Sequence, residues 1–154
     1  MWKYKDKEIR SISDLPEQSY GFVYEVTHLP TGKKYLGKKV LYFERNIKIG
    51  KRELQQLKEE RKKEGISGRP PKKKKVVKES DWKTYYGSQK EIRELLKQEG
   101  PQAFTREIIE IGINKKHLTY LETKLLFSKG VLETEEYLND NILGKFYSKD
   151  LVDL

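Results

Sequence analysis

The sequence predicts an α+β fold, a small antiparallel sheet of about three strands flanked by helices, and three observations carry that reading. Residues 20–37 alternate apolar and polar side chains on both sides of a turn, as a hairpin does. Residues 104–113 repeat a strand-like apolar pattern. Segments of helical periodicity stand before and after that run, so helices have a sheet to cover.

In chain order, residues 1–19 are polar and end in Leu15-Pro16-Glu17-Gln18, a turn-like lead-in. Phe22, Tyr24 and Val26 then alternate with Val23, Glu25 and Thr27, a run rich in strand formers. Pro30, Thr31 and Gly32 supply turn chemistry, and Lys34–Gly37 returns as the second strand. Val40–Arg45 is expected to open a helix, and Leu54 and Leu57 sit in a mostly polar helix with little to bury. Gly65–Lys75 contains two Gly and two Pro followed by four consecutive Lys, so it should break helix and stay mobile.

Regular structure is expected to resume at Asp81–Gly87. Ser88, with Glu91 three residues on, has the pattern of a capping box, and Ile92, Leu95 and Leu96 mark the apolar side of the next helix. Gly100-Pro101 stops it. Phe104–Ile113 reads as a strand with Ile108 and Ile109 buried, and Asn114 caps a helix through Leu118, Leu121, Leu125 and Leu126 that ends at Gly130. A short helix near Leu132–Leu138 and an irregular tail complete the expectation.

At 154 residues the chain is read as one domain, 1–154, with residues 46–80 as a basic insertion. Charged residues make up 37% and apolar ones 35%, so the core is small and the surface highly charged. There is no Cys, which excludes a disulfide scaffold, a thiol nucleophile and thiolate zinc sites. No apolar stretch resembles a signal peptide or a membrane span, and the expected location is the cytoplasm. The net charge of +9 is unevenly placed: residues 38–78 hold 16 Lys/Arg against five Glu, a net of +11, and the rest of the chain is −2. A field concentrated in this way suits a surface that tracks phosphates, although a solvated loop would show the same composition.

Few side chains stand out chemically. Leu118, Leu121, Glu122 and Leu125 recur at helical spacing, which puts a carboxylate on an apolar stripe. Such a group pairs, binds a cation, or lies at the stripe's edge and reaches water. Tyr24 and Tyr35 lie on adjacent strands of the expected hairpin and can share a face, where cross-strand packing is the ordinary role of two aromatics. Lys38, Lys39 and Arg45 come soon after, and cations beside phenols and a carboxylate would suit a phosphodiester. His28 and His117 form no metal site by spacing and are expected to be solvated or capping, and no phosphate-binding loop or nucleophile elbow is present. Trp2 and Trp82 suit a core as well as a base stack.

Read together, Gly21-Phe-Val-Tyr24 and Tyr35-Leu-Gly37-Lys38, the second Tyr eleven positions after the first, resemble the signature of the GIY-YIG nucleases. Arg45 stands ten residues beyond the second Tyr, where that family has its Arg, and Glu122 in Leu118-Thr-Tyr-Leu-Glu122 matches its metal-binding Glu. Asn139 or Asn141 would answer to a polar residue near the C-terminus. Two features depart from the pattern: the first motif reads FVY, and Ile49 occupies the place of a His or Tyr after the Arg, for which Tyr42, Tyr85 and Tyr86 are the candidates. With Asp81–Ser88 and the basic insertion, the chain looks most like phage-type members and restriction-enzyme relatives of a bacterial or phage-infected cell.

The resemblance implies a metal-dependent DNA endonuclease that hydrolyses phosphodiester bonds. Tyr24 would be the general base, its phenol acidified by nearby cations, and Tyr35 would orient the nucleophile or the phosphate. Lys38 and Arg45 would stabilise phosphate charge, and Glu122 would hold Mg²⁺, with Mn²⁺ as a substitute. Lys39, Lys72, Lys73, Lys74, Lys75, Tyr85 and Tyr86 would contact duplex DNA, with Asn139, Asn141 and Tyr42 in support. Cutting both strands would call for a homodimer on the DNA. The alternatives are a non-catalytic nucleic-acid-binding module of the same fold, or a structure- or RNA-directed nuclease.

Overall fold

Two short strands, β1 (Trp2–Tyr4) and β2 (Lys7–Ile9), open the chain in a computed structural model that describes residues 1–151. They are followed by β3 (Gly21–His28), β4 (Lys34–Val40), β5 (Tyr42–Lys48), α1 (Lys51–Lys63) and β6 (Lys73–Glu79). Then come α2 (Lys90–Glu99), β7 (Phe104–Gly112), α3 (Lys115–Ser128) and the small strands β8 (Asn141–Ile142) and β9 (Phe146–Tyr147). The chain divides into two compact units: Met1–Leu41 with Ser80 onward, and Tyr42–Glu79.

The first unit is α+β, but its sheet is larger and more mixed than three antiparallel strands. Its five strands run β2-β1-β7-β3-β4, with β1 parallel to β7 and the other pairs antiparallel. The polar N-terminal residues are therefore strands and not a lead-in. Three-residue strands are too short to show a period, and Trp2, 1% exposed, is the anchor that their polar neighbours conceal.

Alternation along β3 sorts side chains onto two faces. Val23, with Leu36 of β4, packs under Leu118 and Leu126 of α3 and under Val131 and Ile142. On the other face Phe22 and Tyr24 meet Trp2 edge-on, with ring centroids 4.9 and 5.5 Å away, and Phe22 meets Trp82 at 6.2 Å. Both tryptophans are core residues. Truncating so large a buried ring typically costs about 3–5 kcal/mol, so Trp2→Ala should lower the urea midpoint by that much stability and expose the whole unit to proteolysis.

The register of β3 against β7 jumps between Val23 and Tyr24, where β7 carries one residue more than its partner. That residue is Ile109, only half-buried beside the fully buried Ile108, where both were expected to be buried. A bulge of this kind bends a strand locally, and here it sits next to Tyr24. The Asn114 side chain accepts from the His117 N–H and caps α3 as its sequence predicts. The N-cap of α2 is Gln89, which accepts from the Ile92 N–H, and Ser88 lies one residue outside. His28 is buried, its ring bridging Thr31 and Glu99.

Residues 132–138 form turns, not a helix, because they are drawn out along the free edge of β4. Lys34 N–H donates to Glu136 O and Leu138 N–H donates to Lys34 O; Asn139 then accepts from Leu36 N–H and donates to Leu36 O. An edge strand presents unpaired backbone groups at alternate residues, and this segment satisfies them without adding a true strand.

In the second unit, β5 and β6 pair antiparallel from Tyr42↔Glu79 to Lys48↔Lys73, with α1 between them in sequence. Arg45 lies on a strand and not in the helix expected over 40–45. Cross-strand pairing with Val76 decides this over the weak helical pattern. Lys73, Lys74 and Lys75 belong to β6 and are not in a mobile loop, and Lys74 and Lys75 form ion pairs with Glu53 and Glu44 at 2.7 and 2.9 Å.

Candidate active site

The site lies where β4 presents its two faces at the edge of the sheet. Tyr24 stands opposite Gly37, and Tyr35 opposite Val26, so the two phenols are diagonal neighbours on one face with ring centroids 6.3 Å apart. Tyr85 joins them, its ring edge-on to Tyr24 at 5.9 Å. Tyr85 lies close enough to raise the pKa of the Tyr24 phenol, while Ser88 acts on the Tyr35 phenol to lower it.

Two glycines make this crowding possible. A Cβ on Gly37 would lie 2.6 Å from Tyr24 Oη, and one on Gly87 would lie 3.3 Å from the same atom. Gly87 also has φ +115°, a conformation that side-chain-bearing residues rarely adopt. Ser88, expected as a helix cap, is instead a partner of the phenol pair. Asp81–Ser88 was legible as an aromatic and Gly segment, but nothing local says that it folds over a hairpin sixty residues earlier.

Burial pushes the Tyr24 phenol well above its ordinary value, and Tyr85, Tyr35 and the negative charge of Glu122 add to the rise. The expected acidification by cations is therefore reversed, because the ring is 1% exposed and no cation faces its oxygen strongly enough to compensate. Tyr35 is also raised, chiefly by burial, with Ser88 acting the other way. Lys39 forms an ion pair with Asp81 at 2.6 Å and lies 4.0 Å above the Tyr85 ring, its side chain 10% exposed. Tyr86 turns away from the phenols and stacks on Arg106 and Phe104.

On the opposite face of β4, Glu122 of α3 meets Lys38. Burial holds the Glu122 carboxyl above the ordinary range, while the Lys38 charge and its backbone N–H, which donates to the carboxylate, act to lower it. Lys38 is exposed, and its ammonium donates to Thr119 at 2.9 Å. Tyr35, Lys38 and Glu122 line a cavity of about 280 Å³ together with Asn139, Asp140 and Asn141. Both polar atoms of the Asn139 amide are used on Leu36, and Asn141 closes a turn by donating to Asp140 and accepting from Gly144 N–H.

The sequence-predicted residues thus divide between the units. Tyr24, Tyr35, Lys38, Lys39, Tyr85, Tyr86, Glu122, Asn139 and Asn141 belong to the first; Tyr42, Arg45 and Lys72–Lys75 belong to the second. Among the described residues no three His, Asp or Glu cluster around a common point. The carboxylates in the cavity lining, Glu122 and Asp140, are the groups there that could hold a hard cation such as Mg²⁺, which keeps water and takes phosphate oxygens for the rest of its shell.

Residues 2–142 match the model of a family described as "Putative endonuclease segE, GIY-YIG domain". No curated protein and no solved structure matches the chain.

Proposed function

The chain belongs to the GIY-YIG endonuclease family, and on that premise we propose that it is a DNA endonuclease that hydrolyses phosphodiester bonds with the help of a divalent cation. The observation that carries the proposal is the gathering of three phenols, Lys38 and Glu122 around one edge strand.

In this reading Tyr24 takes the proton of the attacking water. A phenol held above its ordinary value is not a standing phenolate at neutral pH, so its own proton must leave as the new one arrives. Tyr85, edge-on to Tyr24 and part-exposed, would take that proton as its own passes to water, and so serve where Ile49 departs from the family pattern. Tyr35, with Ser88 beside it, orients the water or the phosphate, and Lys38 bears on phosphate charge; the role of Arg45 on that charge rests on the family resemblance alone. Glu122, with Asp140 near it in the cavity wall, would hold Mg²⁺ or Mn²⁺, which supplies charge balance at the leaving 3′ oxygen.

Incubation of the protein with supercoiled plasmid and Mg²⁺, beside an EDTA control, tests this directly. Nicked or linear product in Mg²⁺ alone is expected. Retained DNA binding with intact plasmid across several metals and target sequences would favour a non-catalytic module. Preferential cutting of RNA or branched DNA would redirect the substrate.

The second unit supplies the grip on duplex DNA, through its lysines. Because Lys73–Glu79 is a paired strand, charge is better removed by substitution than by deletion. Changing the exposed Lys72 and Lys73 to Gln should weaken binding uniformly across sequences and reduce the slope of log K against log salt by about 2. An unchanged slope in filter binding or anisotropy would return these lysines to the role of solvated surface.

A further inference from the structure

Beneath the phenols lies a buried cation that the proposed chemistry does not use. Arg106 of β7 stands opposite Trp2 in one direction and Val26 in the other, and is 6% exposed. Its guanidinium lies between two aromatic rings, 4.5 Å from the Trp2 centroid and 4.1 Å from that of Tyr86. Nη1 donates to two backbone carbonyls, those of Lys83 and Tyr85, both at 2.9 Å. Nε is buried without an acceptor, and among the described residues no carboxylate pairs with the side chain.

A buried guanidinium with no counter-ion is costly, and ring faces offset only part of the cost. What this arrangement secures is a segment of backbone. The two carbonyls bracket the end of the short 3₁₀ helix Trp82–Thr84, from which the chain passes directly into Tyr85, Gly87 and Ser88. The Tyr85 side chain is held separately, under the Lys39 ammonium. There is little slack beyond it, because the Cβ position of Gly87 is already 3.4 Å from the Tyr35 ring and 3.3 Å from Tyr24 Oη.

We infer that Arg106 is a positioning residue: by clamping the Lys83 and Tyr85 carbonyls it sets Tyr85 and Gly87 against Tyr24 and Tyr35, and so fixes the geometry of the phenol cluster. The inference rests on the nuclease reading for its kinetic consequence only. Arg106→Met fills similar space without donors, and Arg106→Lys keeps a charge and donors.

With ¹³C-ζ-labelled tyrosine, the Met variant should shift the Tyr24 and Tyr85 resonances and leave Tyr4 and Tyr137 in place, and the Lys variant should shift them less. In Mg²⁺-dependent cleavage, the Met variant should lose about 100-fold in kcat with KM within about twofold, as for a group displaced by a fraction of an ångström. The Lys variant should regain at least about tenfold, and Arg106→Met combined with Tyr85→Phe should be no slower than the worse single change. Unmoved Tyr24 and Tyr85 resonances in a folded Met variant, or additive kinetic losses, would overturn the inference. Should the Met variant fail to fold, Arg106→Gln, too short to reach both carbonyls, takes its place, and unmoved Tyr24 and Tyr85 resonances in that variant would overturn the inference equally. If the wild-type protein cuts no nucleic acid, the nuclease reading falls, and the resonances still decide whether Arg106 positions the phenols.

Discussion

Glu122→Gln should abolish cleavage while raising the melting temperature of the protein. The carboxylate opens on the cavity beside Lys38 and Asp140 and is the group proposed to hold the cation, so an amide of the same shape removes the proposed ligand without leaving a void. Removing a metal ligand of this kind should cost about 10³-fold or more in rate, by analogy with other single groups that stabilise developing charge. DNA binding measured in EDTA should stay the same or tighten slightly, since one negative charge is lost.

The stability half of the prediction comes from burial. It holds the Glu122 carboxyl above the ordinary carboxylate range, so between the unfolded value, about 4.3, and the raised one the native state carries more proton than the unfolded chain. Wild-type stability therefore falls as pH rises through that window, and a neutral Gln is spared the loss. The variant's advantage should grow through the window, be full above it, and vanish below about pH 4. Undiminished cleavage, or a melting temperature at pH 7 below that of wild type, would remove Glu122 from the proposed role. Tyr24→Phe is the companion change. It keeps the buried ring and should cost about 10²–10⁴-fold, the usual span for a lost general base.

Gly37→Ala is the second change with a large effect, and it replaces no group that performs chemistry. The added methyl would lie 2.6 Å from Tyr24 Oη, 2.8 Å from its Cζ and 3.1 Å from Tyr35 Cε1. Neither ring is free to give way: Tyr24 is wedged against Trp2, Phe22 and Tyr85, and its hydroxyl is the atom in closest conflict. Overpacking of this sort costs about 1–3 kcal/mol, and a displaced phenol should cost about 100-fold in cleavage. Gly32→Ala is the control. Gly32 has φ +72° but nothing within 4 Å of the added methyl, so it should lose some stability and no activity per folded molecule. Equal cleavage by the two variants, corrected for folded fraction, would show that the tyrosines tolerate movement.

How much of this fold and site is legible in the chain depends on the range of each interaction. The hairpin of β3 and β4, the helix capped by Asn114 and the stop at Gly100-Pro101 each depend on residues within a few positions of one another, and their sequence patterns translate directly. The spacing of Tyr24 and Tyr35 is local in the same sense, because one turn sets their diagonal placement. Gly37 is recognisable as a motif residue, but the reason for it, a phenol packed against its Cα, emerges only when the side chains are in place.

The elements that differ from expectation are those decided by distant partners. Residues 40–45 carry a faint helical pattern that pairing with Val76–Glu79 overrides, and residues 132–138 are stretched along β4 because its edge must be satisfied. Ser88 has the right neighbours for a cap, but the helix starts a residue later and leaves its hydroxyl to Tyr35. The rise of the Tyr24 phenol is invisible in a cation-rich stretch of sequence, because desolvation depends on the groups that close over the ring and not on its neighbours along the chain.

The α+β class and the family are thus written in the chain, since these depend on periodicity, short spacings and residue types. Tertiary packing was needed to bring Trp2 from the N-terminus and Arg106 from the seventh strand behind the phenols, and to complete them with Tyr85. It also brought Glu122 to β4 from the opposite face. Contacts across so many residues are selected by packing and by the need to satisfy buried backbone, and neither leaves a periodic trace in the chain.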